Sequence, residues 1–194
     1  MSTEPQDRIH VRDAASMRAL AHPARLKSIS HLSAVGPATA TELGEVAGLT
    51  PSAMSYHLRA LERAGLISTA PSRGDGRERV WQSNLTDGWT IESFEDGSAD
   101  TRAASVELME TILAMQDVEV RQWLGHADEP GWLDTGFFVN TVIVATQEEL
   151  LEIGQKISDL LAPYHSRKRE DPPADAVKMR ASFRGFPGED VLPY

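Results

Sequence analysis

Between Thr39 and Gly65 the chain carries two helix-start signals and two glycine stops, and only Leu49 stands between the first stop and the second start. The first segment opens with Thr39-x-x-Glu42, a capping box that satisfies two orphan N–H groups of a helix N-terminus reciprocally. Leu43, Val46 and Ala47 then fall on one helical face. Gly48 offers the left-handed backbone conformation that stops a helix. Thr50-Pro51 restarts the chain as a helix, with Thr as cap and Pro at the first helical position, where its missing N–H costs nothing. This second helix is expected to run to Ala64 and to be closed by Gly65. Two short helices joined by so tight a turn make a helix-turn-helix.

The flanks extend the pattern. Residues 1–12 are polar and read as a loose arm. Asp13 caps a short helix to Ala21, and Pro23 starts another to about Ser33, with Leu26 and Ile29 turned inward. After Gly65 the period changes to extended: Leu66–Ala70 and Val80–Ser83 read as strands around a Gly- and Arg-rich loop, 71–79. A helix-turn-helix followed by such a hairpin is a winged helix.

The second half reads differently. Residues 84–100 look like a linker rich in Gly and Asp. A helix is expected from about Asp100 to Trp123, with Val106, Met109, Leu113, Gln116, Val120 and Trp123 along one stripe. That stripe is expected to be a dimer seam. Phe137–Val144 is an apolar extended run, and Thr146-x-x-Glu149 is a further capping box opening a helix to Ala162-Pro163. From Val177 to Arg184 apolar and polar residues alternate, the mark of a half-buried strand. The fold class is therefore mainly α with a small β component (α+β). It divides into a winged helix-turn-helix at 12–85, a linker at 86–100, and a dimerisation and effector region at 101–194 built as a small α/β unit.

Composition bounds the function. The chain has 194 residues and no cysteine, so disulfides, thiolate metal sites and a cysteine nucleophile are excluded. It lacks an apolar run of membrane-spanning length and begins without a secretory signal, so the expected location is the cytoplasm, with no membrane partner. The net charge of −10 lies wholly in the second half. Residues 1–94 carry ten basic and ten acidic residues, and residues 95–194 carry nine against nineteen. Such asymmetry points to two parts with different partners. Neither P-loop, Rossmann glycine fingerprint, nucleophile elbow nor zinc-protease motif occurs. No enzyme activity, catalytic residue, cofactor or metal is expected.

The chemistry sits on the helix after Thr50. At about 100° per residue, Met54, Leu58 and Leu61 face inward, while Ser52, Ser55, Tyr56, Arg59 and Arg63 cluster opposite. Arg pairs with guanine edges or phosphate, Ser serves either, and Tyr reaches phosphate or packs on a thymine methyl. Residues 50–84 hold five Arg against three acids, a local net +2 in an acidic protein. His57 lies nearer the buried flank, where packing with a hydrogen bond is favoured over a phosphate contact. His126, Asp128, Glu129 and Asp134 form an acidic loop with little claim to a metal.

The strings Ala21-His22-Pro23-Ala24-Arg25-Leu26, Ser55-Tyr56-His57-Leu58-x-x-Leu61-x-x-Ala64-Gly65-Leu66 and Gly76-Arg77 resemble the ArsR-type winged-helix transcriptional regulators of prokaryotes over roughly residues 12–85. The resemblance implies a homodimer bound to a near-palindromic operator in double-stranded DNA, acting as a repressor released by an effector. It implies DNA contacts at Ser52, Ser55, Tyr56, His57 and Arg59, beside the capping Thr50 and the exposed Arg63, with Arg73, Arg77 and Arg79 contributing from the wing. The thiol sensors of that family carry cysteines in the helix matching Thr39–Ala47, and this chain has none. A small-molecule effector held without thiolates is the corresponding expectation.

Overall fold

The computed structural model describes residues 9–11, 13–72, 78–85, 89–91, 98–131, 136, 139–165, 169, 171–177 and 179–186. The chain divides into two units, Met1–Phe138 and Val139–Tyr194.

In the first unit, β1 (Ile9–Val11) leads into α1 (Ala14–Leu20), α2 (Pro23–Ala34), β2 (Ala38–Thr39), α3 (Ala40–Ala47) and α4 (Pro51–Arg63). Then come β3 (Ile67–Ala70), β4 (Val80–Ser83), β5 (Trp89–Ile91) and the long α5 (Ala99–Leu124). The expected caps are in place. Asp13 accepts from the Ser16 N–H at 2.8 Å, and Thr39 and Glu42 close their box with bonds of 3.2 and 2.6 Å. The Thr50 hydroxyl accepts from the Ala53 N–H at 3.3 Å. Each cap holds a donor that would otherwise lack a partner at a helix start.

The turn between α3 and α4 depends on two glycines. Gly48 takes φ 70°, where a side chain would be strained. Gly44 needs its hydrogen for a different reason: a Cβ there would sit 2.7 Å from the Leu49 carbonyl oxygen. The turn backbone thus passes directly over α3, and only glycine permits the approach.

One apolar core holds these elements together. Leu20, Leu32, Leu43, Met54, Leu58, Leu61, Leu85 and Leu108 are fully buried, drawn from α1 to α5 and the chain after β4. The two buried helix serines are satisfied locally: Ser28 donates to the Ala24 carbonyl at 2.8 Å and Ser105 to that of Thr101 at 2.9 Å. The wing forms an antiparallel sheet ordered β2-β4-β3, with Thr69 opposite Trp81 and Ala38 on its other side. Arg18 on α1 forms a two-pronged ion pair with Asp100 at the start of α5, one prong at 3.0 Å.

Several sequence expectations need revision. The arm and linker are not free of structure, because β1 and β5 pair in parallel, Ile9 with Trp89 and Val11 with Ile91. Three-residue strands eighty residues apart leave no periodicity to detect. β2 was likewise hidden inside the capping box of α3.

The second unit contains α6 (Gln147–Leu161) with its Thr146/Glu149 capping box, followed by a 3-10 turn at Ala162–Tyr164. The strands expected at Phe137–Val144 and Val177–Arg184 are not formed: residues 139–144, 177 and 179–184 carry no strand, and 137, 138 and 178 lie outside the described residues. A strand needs a ladder partner for its N–H and C=O groups, and among the described residues neither segment has one. The overall class, mainly helical with a small sheet, is as the sequence indicated.

Candidate nucleic-acid interface

α4 is built as a two-sided rod. Met54, Leu58 and Leu61 are fully buried against the core. Ser52, Arg59 and Arg63 are exposed, Tyr56 is 62% exposed, and Ser55 is half-buried. The split follows from helical spacing alone, since residues three and four apart share a face. The Ser55 hydroxyl donates to the Pro51 carbonyl at 2.8 Å, which leaves its oxygen to accept from outside the helix.

The exposed side opens into a groove of about 540 Å³. Pro51, Ser52, Ser55 and Arg59 form one wall, Ala40 and Thr41 from the start of α3 another, and Glu78, Arg79 and Trp81 at the base of the wing a third. Two cations and three hydroxyl-bearing side chains therefore line one concavity, with Trp81 beneath.

Arg79 is held at this base. Its guanidinium lies 5.0 Å above the Trp81 ring and 3.5 Å from Glu62 Oε1 on α4. The first contact is a cation–π arrangement. The second is an exposed ion pair that a competing anion can displace. Beside it, the Thr41 hydroxyl donates to Glu78 Oε1 at 3.2 Å. Arg73 and Arg77, the other wing residues expected to contribute, lie outside the described residues.

His57 occupies the flank. Its ring packs against that of His22 at 4.3 Å between centroids, tilted by 36°, and Tyr56 meets it edge-on at 5.5 Å. The Arg25 Nε–H donates to His57 Nδ1 at 3.4 Å. An arginine can only donate, so this contact requires a bare Nδ1 and places the proton of neutral His57 on Nε2. Burial, then the neighbouring His22 and Arg25, push the His57 pKa down. Burial and Arg25 do the same to His22, whose Nδ1 caps α2 by accepting from the Ala24 N–H at 3.1 Å. Arg25 also donates to the Ala19 carbonyl at 3.1 Å. One guanidinium thus ties α1, α2 and α4 together. Sequence reading does not single out Arg25 for this work, and His22-Pro23-x-Arg25 is the available signal.

In the acidic loop after α5, His126 Nδ1 lies within hydrogen-bond distance of Glu129 Oε1 at 2.8 Å, while Asp134 lies outside the described residues. Among the described residues no group of three or more His, Asp or Glu side chains could hold a metal, and no helix is long and apolar enough to cross a membrane.

Comparison with known protein families points to the part of the chain that carries this site. A family model described as a helix-turn-helix domain matches residues 20–70. Among solved structures, the chain is similar to the YusO protein from Bacillus subtilis at 20% identity and a TM-score of 0.33, covering 75% of this chain and 78% of that one. It is also similar to a mutant of Lactococcus lactis ZitR in apo form, at 16% identity and TM-score 0.33 (74% and 83% covered). A third similar structure is the Mycobacterium tuberculosis MarR family protein Rv2887 in complex with salicylic acid, at 18% identity and TM-score 0.31 (75% and 84% covered). No curated protein matches. Residues 20–70, together with the hairpin that follows, form a winged helix-turn-helix.

Proposed function

We propose that this chain is a sequence-specific DNA-binding transcriptional regulator of the ArsR type, working as a homodimeric repressor in the cytoplasm. The observation that carries the reading is the arrangement around α4. Its greasy side is locked into the core, while Ser52, Ser55 and Arg59 share a groove with Arg79 of the wing. In this reading residues 12–85 are the DNA-binding head. α4 enters the major groove, with Thr50, Ser52, Ser55, Tyr56, Arg59 and Arg63 toward DNA, and Arg73, Arg77 and Arg79 touch the backbone or minor groove. His57 Nε2–H serves as a neutral donor to phosphate.

Dimerisation draws support from α5. One side of that helix, with Ala104 and Leu108, is buried in the core, whereas Val106, Leu113 and Val120 on the expected seam are exposed. A two-fold protein suits a near-palindromic operator. With no cysteine in the chain, a small-molecule effector binds without thiolates and acts by changing the spacing of the two heads.

Selection of bound sequences from random duplex DNA tests the proposal. The expected product contains two similar half-sites about one helical turn, roughly 34 Å, apart. Failure to enrich any sequence overturns it.

A further inference from the structure

Arg25 of α2 is not among the walls of the groove, yet it touches α4 at the residue beside Tyr56. Its guanidinium is anchored first. Nη1 donates to the carbonyls of Arg18 and Ala19 at 3.4 and 3.1 Å, acceptors that the last turn of α1 leaves without helical partners. A planar fork fixed on one side aims its other donors, and Nε–H meets His57 Nδ1 at 3.4 Å. A lysine ammonium on its flexible stem has no such fixed angle between donors.

His57 is held by three neighbours. Arg25 occupies its Nδ1, the His22 ring packs against it at 4.3 Å, and Tyr56 meets its edge at 5.5 Å. The Nδ1 of His22 is itself engaged, capping α2 through the Ala24 N–H. A neutral imidazole has one donor and one acceptor, and the partner of one nitrogen decides which is which. A guanidinium does not give up its proton, so His57 Nδ1 accepts and Nε2 carries the hydrogen. For an anion this choice matters. A phosphate oxygen only accepts, so Nε2–H meets it with a donor, whereas the other tautomer would turn a lone pair toward it.

We propose that Arg25 is a positioning residue for DNA binding: it touches no nucleotide, and by donating to His57 Nδ1 it fixes the tautomer and tilt with which His57 Nε2–H meets a backbone phosphate. This rests on the regulator reading above and adds to it a residue that works through another. Burial, then His22 and Arg25, hold the His57 pKa below the usual histidine value, so the ring is neutral at about pH 7.5. What it offers a phosphate is set by its hydrogen bond to Arg25, not by a charge.

Phosphate contacts do not depend on sequence, so the probe is a labelled random duplex of about 30 base pairs, in about 50 mM salt at about pH 7.5. Arg25→Met keeps the apolar stem and drops the donors. It is expected to weaken binding about tenfold in the wild-type background, and less than about twofold when combined with His57→Ala. A purely structural role, or the lost charge alone, would weaken both backgrounds by the same factor, and equal factors overturn the proposal. The full chain with nitrogen-15 histidine gives a readout without DNA. The His57 signals, identified by their loss in His57→Ala, are expected to show hydrogen on Nε2 in the wild type. In Arg25→Met the Nε2 signal should move toward the unprotonated range. Hydrogen on Nδ1 in the wild type, or no movement in Arg25→Met, overturns the proposal, and the wild-type spectrum decides alone if Arg25→Met does not fold. A wild type that ignores the duplex overturns the regulator reading and this proposal together, whereas duplex binding with equal factors overturns this proposal alone.

Discussion

Arg79 at the base of the wing reaches Glu62 on α4 at 3.5 Å while its guanidinium rests above Trp81. The wing and α4 are therefore tied by an exposed contact, and under the proposed function DNA phosphate takes the place of Glu62. Glu62→Gln frees Arg79 and removes an acid from the approach to DNA. Affinity for duplex DNA is expected to rise about two- to fivefold, at a stability cost below about 1 kcal/mol because the pair is exposed. Fluorescence anisotropy and a urea melt of the variant check both numbers. Weaker binding would mean that Glu62 itself supports the docked geometry.

The buried side of α4 sets its own expectation. Leu58 has no exposed surface, so Leu58→Ala should cost about 2–5 kcal/mol from lost transfer energy and the cavity left behind. Chemical denaturation measures it. A cost under about 1 kcal/mol would contradict the packing of α4 on the core.

Gly44 tests the turn. Its Cβ would stand 2.7 Å from the Leu49 carbonyl, an atom that cannot swing away as a side chain can. Gly44→Ala is expected to lose about 1–3 kcal/mol by overpacking, although alanine favours a helix, and to weaken DNA binding by shifting α4. An unchanged melting curve would contradict the close approach.

The His22–His57 pair makes stability depend on pH. Both folded pKa values lie below the ordinary histidine value of about 6.5. Between the folded value and about 6.5 the unfolded chain binds more protons, so stability rises with pH through that window. It is fully present above about pH 6.5 and is lost as the pH falls below it. Urea melts from about pH 5 to 7.5 should show this slope, and His57→Gln should flatten it. A slope unchanged in His57→Gln would place the titration elsewhere.

Much of the winged head was legible because its signals are local. Thr39, Glu42, Thr50 and Pro51 announce helix starts through their own side chains and rings, and Met54, Leu58 and Leu61 mark the buried side by spacing alone. What the sequence hid was non-local. The pairing of Ile9 with Trp89 joins two short strands with no period to see. Arg25 reaches His57 across two helices, and no spacing rule links positions thirty-two residues apart. The alternation from Val177 to Arg184 has the pattern of a strand, but a pattern does not supply the neighbour that a strand requires.

Docking of the exposed face of α4 on DNA is tested by a salt series on the wild type and Arg59→Ala. For the wild type, log affinity should fall steeply and linearly with log salt as counterions are released from the duplex. Arg59→Ala should bind about 1–3 kcal/mol more weakly to a selected site if it reads a base, or lose about one unit of salt slope if it holds a phosphate. A wild type that binds weakly without salt dependence, or an Arg59→Ala variant indistinguishable from it, would mean that this face of α4 does not meet DNA.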